Sequence, residues 1–147
     1  MRFMITSAPN PDAPRPTDEA FDPGLMAAYM KFNEDMHRAS VLIASEGLHP
    51  SGKGARVGVS GGKRALLDGP FAESKELVGG FYLIEVKSRD EAIAWAMRCP
   101  TGMGSADILT IHQMTSPSDI PPEMMKIILE AAPTWSAAAF HEELVRK

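Results

Sequence analysis

The 147-residue sequence has a single cysteine, Cys99, so no disulfide can form within the chain. It has no run of basic residues. With 19 Asp plus Glu against 15 Lys plus Arg, its net charge of -4 repels polyphosphate, which argues against a nucleic-acid partner. No segment approaches the roughly 20 apolar residues that cross a bilayer. The opening MRFMITSAPNPDAP also lacks the apolar core of a secretory leader, so a cytoplasmic protein with no membrane partner is expected. The four histidines and one cysteine match no metal-site spacing, and no cofactor motif is present, so neither a metal nor a cofactor is expected.

What remains is an ordinary globular composition. A hydrophobic fraction of 44% and a charged fraction of 23% exclude wholesale disorder and fibrous repeats. A chain of this length buries about two-thirds of its unfolded surface in one core and is too short for two ordinary domains.

Hydrophobic periodicity gives the elements. RFMITS reads as a first strand, and the Pro and Asp of APNPDAPRPTD then break regular structure. With Asp22 as N-cap and Pro23 at the first helical position, Leu25, Tyr29, Phe32 and Met36 line one face of a helix over 22–38. Val41 to Ser45 reads as a second strand, and ARVGVS and KRALL read as the arms of a hairpin turned by Gly61-Gly62. GGFYLIEV is the strongest strand, with Tyr82, Ile84 and Val86 on one face, Phe81, Leu83 and Glu85 on the other, and both faces largely buried. Ser88 and Glu91 form a capping box that starts a second helix near Arg89. ADILTIHQM is the last strand, and the residues from Ser118 onward read as two short helices carrying Trp135 and Phe140.

The order β-α-β-hairpin-β-α-β predicts an α+β fold, a ferredoxin-like split βαβ sheet with two helices on one face. The other face, with Phe81, Leu83, Ile108 and Met114, is then left for a second copy, so a homodimer is expected. The division is a domain over 1–115 and a helical C-terminal extension over 116–147, docked on that domain or on the dimer mate.

Residues 68–84 carry a longer signature: Asp68-Gly69-Pro70-Phe71, then AESKE, then Gly79-Gly80-Phe81-Tyr82-Leu83-Ile84. Together with the SEGLHP stretch after the second strand, this run resembles the DGPF branch of the YCII-related proteins over about residues 1–115. The resemblance implies a dimeric α/β barrel, two sheets stacked face to face with clefts between them. It also implies two kinds of function. Some relatives are enzymes acting on small ring compounds through a His and an Asp, and others are tied by gene context to sigma factors. The histidine that those enzymes carry early in the first helix has no match here, since His37 lies at the helix's far end.

Several residues could carry chemistry. Asp68, in a D-G-P turn beside a buried sheet, could act as a general base or acid, or its carboxylate could simply accept turn amides. His112 on the last strand and His49 after the second could assist, or could be satisfied structural histidines. Glu46, Pro70, Phe71, Lys75 and Phe81 are the candidate substrate contacts. Gly47 to Gly54 nearly spells a phosphate-binding loop, but Gly54 stands where Ser or Thr should bind magnesium and no helix follows, so it reads as an ordinary loop. Cys99, at the end of a helix and not at a helix N-terminus, reads as a packing residue, and the methionines read as fillers of irregular gaps or of a flexible cleft.

Two functions fit these residues. One is a lyase- or isomerase-type enzyme acting on a small carbonyl or cyclic substrate. The other is a non-catalytic small-molecule-binding or regulatory module associated with a sigma-factor circuit. Fold alone does not choose between them.

Overall fold

A computed structural model describes residues 1–8, 10, 12, 23–49, 54–67, 79–100 and 107–140. In chain order these are β1 (Arg2–Ala8), α1 (Pro23–Arg38), β2 (Leu42–Gly47), β3 (Arg56–Ser60), β4 (Lys63–Leu67), β5 (Gly80–Glu85), α2 (Arg89–Met97), β6 (Ile108–Gln113), a 3-10 turn (Pro117–Asp119), α3 (Pro122–Ala131) and α4 (Pro133–Ala139). The chain divides into two units, Met1–Gln113 and Met114–Lys147.

In the first unit, β2, β5, β1 and β6 form one sheet in that order, and β3 pairs with β4 as a separate ribbon. Every neighbouring pair is antiparallel. β1 and β2 are linked through α1 yet separated by β5, which is the ferredoxin-like arrangement expected from the order of elements.

Both helices lie on one face of this sheet. Phe3, Ile5 and Ile84 from the strands meet Phe32 and Met36 from α1 and Ala92 and Ala96 from α2, all buried. The two alanines, one turn apart, let α2 lie close to the sheet. Trp95 seals the gap to Phe32, with ring centroids 6.2 Å apart. Outside this seam, the Arg98 guanidinium lies 4.2 Å from the Trp95 ring centre and 3.1 Å from Asp35 of α1.

The helix ends are set locally. At the end of α1, Val41 N–H donates to Met36 carbonyl at 3.0 Å and Ser40 N–H to His37 carbonyl at 2.9 Å, the paired bonds of a Schellman cap. Ser40 holds the left-handed residue of that cap at φ 58°, where glycine is the usual occupant. Ser88 caps α2 by accepting the Glu91 amide at 3.1 Å. The Glu91 carboxylate, however, accepts the Lys87 amide at 2.9 Å, one residue short of the reciprocal bond a capping box would make.

The hairpin turns at Gly61 and Gly62, at φ 58° and 77°, as the Gly-Gly pair predicts. Its Val57, Val59 and Leu66 are each more than 60% exposed. The expectation that β5 is buried on both faces is met only in part. Ile84 is fully buried, whereas Phe81 and Leu83, on the face away from the helices, are half-buried. In the second unit, Trp135 and Phe140 pack edge to face with centroids 5.6 Å apart. Among the described residues, no helix is long and apolar enough to cross a membrane.

Candidate functional site

The helix-covered face of the sheet changes character along the strands. Register aligns Phe3, Ile84 and Leu42 in one rung across β1, β5 and β2. The next rung is Ile5, Tyr82 and Ser45, and the third is Ser7, Gly80 and Gly47. Side chains thus shrink and become polar within three rungs. The first rung fills the space under the C-terminal half of α1, and the third leaves it open.

The opening is a cavity of about 510 Å³ between the N-terminal half of α1 and the sheet. That is large enough for a small-molecule ligand, for which sites commonly measure about 300–1,000 Å³. Met26, Tyr29, Met30 and Asn33 come from α1, Ser7 from β1, Ser45 and Gly47 from β2, and Gly80 and Tyr82 from β5. Gly79, Cys99 and Asp107 complete the wall from segments flanking the strands and α2. The strand ends are tied at Gly79, whose amide donates to Ser7 carbonyl at 2.7 Å and whose carbonyl accepts from Leu48 at 3.0 Å. A side chain at Gly80 would bring its Cβ to 2.9 Å from the Glu46 carbonyl, so the close approach of β5 and β2 requires glycine there.

Ser45 faces the cavity because of a bulge. The β2–β5 register slips between Leu42 and Ala44, so one extra residue of β2 is accommodated. At this strand length but without the slip, alternation would turn Ala44 toward α1 and Ser45 away. As it is, Ser45 and Asn33 join strand to helix, with Asn33 Nδ2 donating to Ser45 Oγ at 3.1 Å.

The ionisable groups gather at one end. Ser7 Oγ donates to Asp107 Oδ2 at 3.0 Å. Burial raises the Tyr82 phenol well above its ordinary range, helped by its hydrogen bond to Cys99. Tyr29 is pushed up to about 12, first by burial and then by the negative charge of Asp107. Cys99 is also raised, chiefly by burial, although its hydrogen bond with Tyr82 works the other way. Its Sγ lies 3.6 Å from the Pro100 carbonyl, which accepts from the thiol. At neutral pH both phenols and the thiol therefore keep their protons.

The residues singled out from sequence stand apart from this cluster. Asp68, Pro70, Phe71 and Lys75 lie outside the described residues. Glu46 and Phe81 are cross-strand partners and border the cavity at its rim. His112, opposite Met4, is exposed on the face away from the helices, and His49 is exposed just beyond β2. Neither histidine borders the cavity. Sequence reasoning missed Tyr29, Asn33, Ser45 and Asp107 as site residues and read Cys99 as packing. The available signal was the coincidence of Ser7, Gly47 and Gly79-Gly80 at strand ends, which becomes a pocket only once register aligns them.

Comparisons with known proteins bear on the first unit. A relative among curated proteins is an uncharacterized protein of Rhizobium meliloti (strain 1021), 47% identical over 49 residues. That match covers 33% of this chain and spans 40% of the relative's own length. Among solved structures, 5-chloro-2-hydroxyhydroquinone dehydrochlorinase from Burkholderia phenoliruptrix AC1100, in complex with 2,5-dihydroxybenzoquinone, is similar at 16% identity and a TM-score of 0.39. The superposition covers 82% of this chain and 100% of that one, a likeness too slight to carry chemistry across. The YCII-related domain matches residues 1–115, that is, the whole sheet, both its helices and the cavity between them, and the chain belongs to the YCII-related family.

Proposed function

We propose that the chain is an enzyme that holds a small, largely apolar molecule in the cavity under α1 and moves a proton on it, in a lyase- or isomerase-type step. The observation that carries this reading is the convergence of Asp107, Tyr29, Tyr82 and Cys99 at one end of a single cavity. Asp107 is the group suited to accept a proton, with one oxygen steadied by Ser7. Tyr29, held protonated, is suited to donate one or to support charge building on a ligand oxygen. A proton taken from one atom of the ligand by Asp107 and returned to another completes an isomerisation with no other reactant. Met26 and Met30 supply a pliable apolar wall, in which such charges act more strongly than in water.

The pairing of Asp68 with His112 or His49, drawn from the sequence, is the competing assignment of the same chemistry. A homodimer is part of the proposal as well. Phe81 and Leu83 are half-buried on the face away from the helices and Ile108 is 48% exposed there, apolar surface that a second copy would cover. A non-catalytic binding module is favoured by one observation: three of the four clustered groups hold their protons at neutral pH and do not exchange them readily.

Turnover separates these readings. Small cyclic ketones, lactones and amines incubated with the protein in D2O, and followed by proton NMR, should show new products or loss of an exchangeable C–H signal. Asp107→Asn should slow that change by about 100-fold, the scale of a lost general base. Binding without any change in the ligand would favour the capture module, and full activity in Asp107→Asn would return the role to Asp68 and its histidines.

A further inference from the structure

We infer that the corner of the cavity bounded by Gly47, Met26 and Met30 is a subsite for an uncharged hydrocarbon end of the ligand, and that Gly47 sets how large that end can be. The inference rests on the cavity being the working site, and it deepens that reading by naming the part of the ligand that this corner takes.

Gly47 is a glycine that the fold does not require. Glycine weakens a strand, because it has the most backbone freedom to lose and no side chain to pack. Chains keep one where the backbone takes a left-handed angle, where another segment comes too close for a Cβ, or where a ligand does. Gly61 and Gly62 answer to the first reason, with positive φ angles, and Gly80 to the second, since its Cβ would lie 2.9 Å from the Glu46 carbonyl. Gly47 answers to neither: its φ lies outside the left-handed region, and a Cβ there meets nothing within 4 Å among the described residues. The slip in β2 falls between Leu42 and Ala44, so Gly47 does not serve the bulge either. It pairs with Gly80 on the helix-covered face and borders the cavity, so the side chain it lacks is space facing α1.

The opposite wall points to what fills that space. Asn33 of α1 meets Ser45 of β2 at 3.1 Å. Met30 stands one turn before Asn33 and Met26 two, while Gly47 lies two residues beyond Ser45 on the same face of β2, so the methionines extend over the glycine. Both border the cavity, yet Met26 is 43% and Met30 52% exposed, whereas Phe32 and Met36 on the same helix are at most 4% exposed. α1 thus holds two large apolar side chains partly in water above an open floor, and an apolar group in the gap removes that surface from water. Neither methionine nor glycine brings a charge or a side-chain donor, so a charged end would lose its water here with nothing in return. Unbranched methionine adapts to groups of different shape, whereas the paired backbone at Gly47 is fixed, which leaves Gly47 as the limit on size.

The test is an NMR titration of the isotope-labelled full chain with 2-butanone, 2-hexanone and 2-octanone, neutral probes that differ only in the hydrocarbon tail. Affinity should rise about fourfold for each CH2 that enters the subsite, with shifts at the methyl groups of Met26 and Met30. Gly47→Val should weaken 2-octanone by about tenfold and leave 2-butanone within about twofold. Gly47→Ala should fall between the two, and the core signals of Phe3 and Ile84 should stay in place in both variants. Equal affinity for the three ketones, or shifts at Tyr29 and Gly80 without Met26 and Met30, overturns the subsite and leaves the cavity reading standing. So does a Gly47→Val variant that weakens all three ketones alike or none of them. Displaced core signals in both Gly47 variants would show that the fold itself needs the glycine, and that overturns it too. Shifts that avoid Tyr29, Gly80, Met26 and Met30 for all three probes overturn both readings.

Discussion

The two ends of the helix-covered face are built from the same three strands and the same helix, yet one end is solid and the other hollow. Where Phe3, Ile84 and Leu42 stand in a row, Phe32 and Met36 close over them, and Phe3, Ile84 and Met36 are each at most 1% exposed. Two rungs on, Ser7, Gly80 and Gly47 present almost no side chain, and α1 above them offers Met26, Tyr29 and Met30 without filling the space. Backbone geometry is shared, so the difference lies in side-chain volume and polarity along each strand. One layer thereby carries a packed core at one end and an open cavity at the other.

Substitutions can break that division, and the largest effect belongs to the solid end. Phe32→Ala should cost about 3 to 5 kcal/mol in urea denaturation, because it empties the contact between α1, Tyr82 and Trp95. Leu66→Ser on the exposed hairpin should stay within about 0.5 kcal/mol. A Phe32→Ala cost near that of Leu66→Ser would mean the solid end is not the stabilising one.

At the hollow end two glycines should behave differently. Gly80→Ala sets a methyl 2.9 Å from the Glu46 carbonyl and should lower stability by about 1 to 3 kcal/mol. Gly47→Ala meets nothing within 4 Å, so thermal denaturation should register a change within about 0.5 kcal/mol, while the added methyl weakens ligand binding. Equal losses of stability would erase the distinction between a packed backbone contact and an open wall.

The smallest effect is in alkaline solution. Tyr29 ionises near 10 when unfolded and at about 12 when folded, so the folded state holds the proton more tightly between those values. Its contribution is fully present below pH 10 and is lost as pH rises toward 12, so the melting temperature should fall over that window. Tyr29→Phe should flatten the fall, and an unchanged slope would mean that Tyr29 is not the responsible phenol.

Much of the architecture was legible in the sequence because it rests on local signals. Pro23 opens α1, Gly61-Gly62 turns the hairpin with positive φ angles, and Ser88 caps α2. Alternation along GFYLIE separates Tyr82 and Ile84 from Phe81 and Leu83, as the register bears out. The site was far less legible. Tyr29 and Asn33 look like two more positions on an amphipathic helix, and Cys99 and Asp107 sit outside regular elements. Ser7 and Asp107 are 100 positions apart, and their hydrogen bond follows from the pairing of β1 with β6. Ser45 was misleading in a more specific way, since strict alternation from Leu42 assigns it to the wrong face.

That slip between Leu42 and Ala44 makes the polarity of the cavity wall a matter of counting rather than of residue type. Deleting Ile43 would take out the extra residue and leave Leu42, Ala44 and Ser45 in regular alternation opposite Ile84, Leu83 and Tyr82, so Ser45 would keep its place beside Asn33. Regular pairing at unchanged length would instead bring Ala44 inward and part Ser45 from Asn33, so the polarity of the wall depends on where the strand takes up its extra residue.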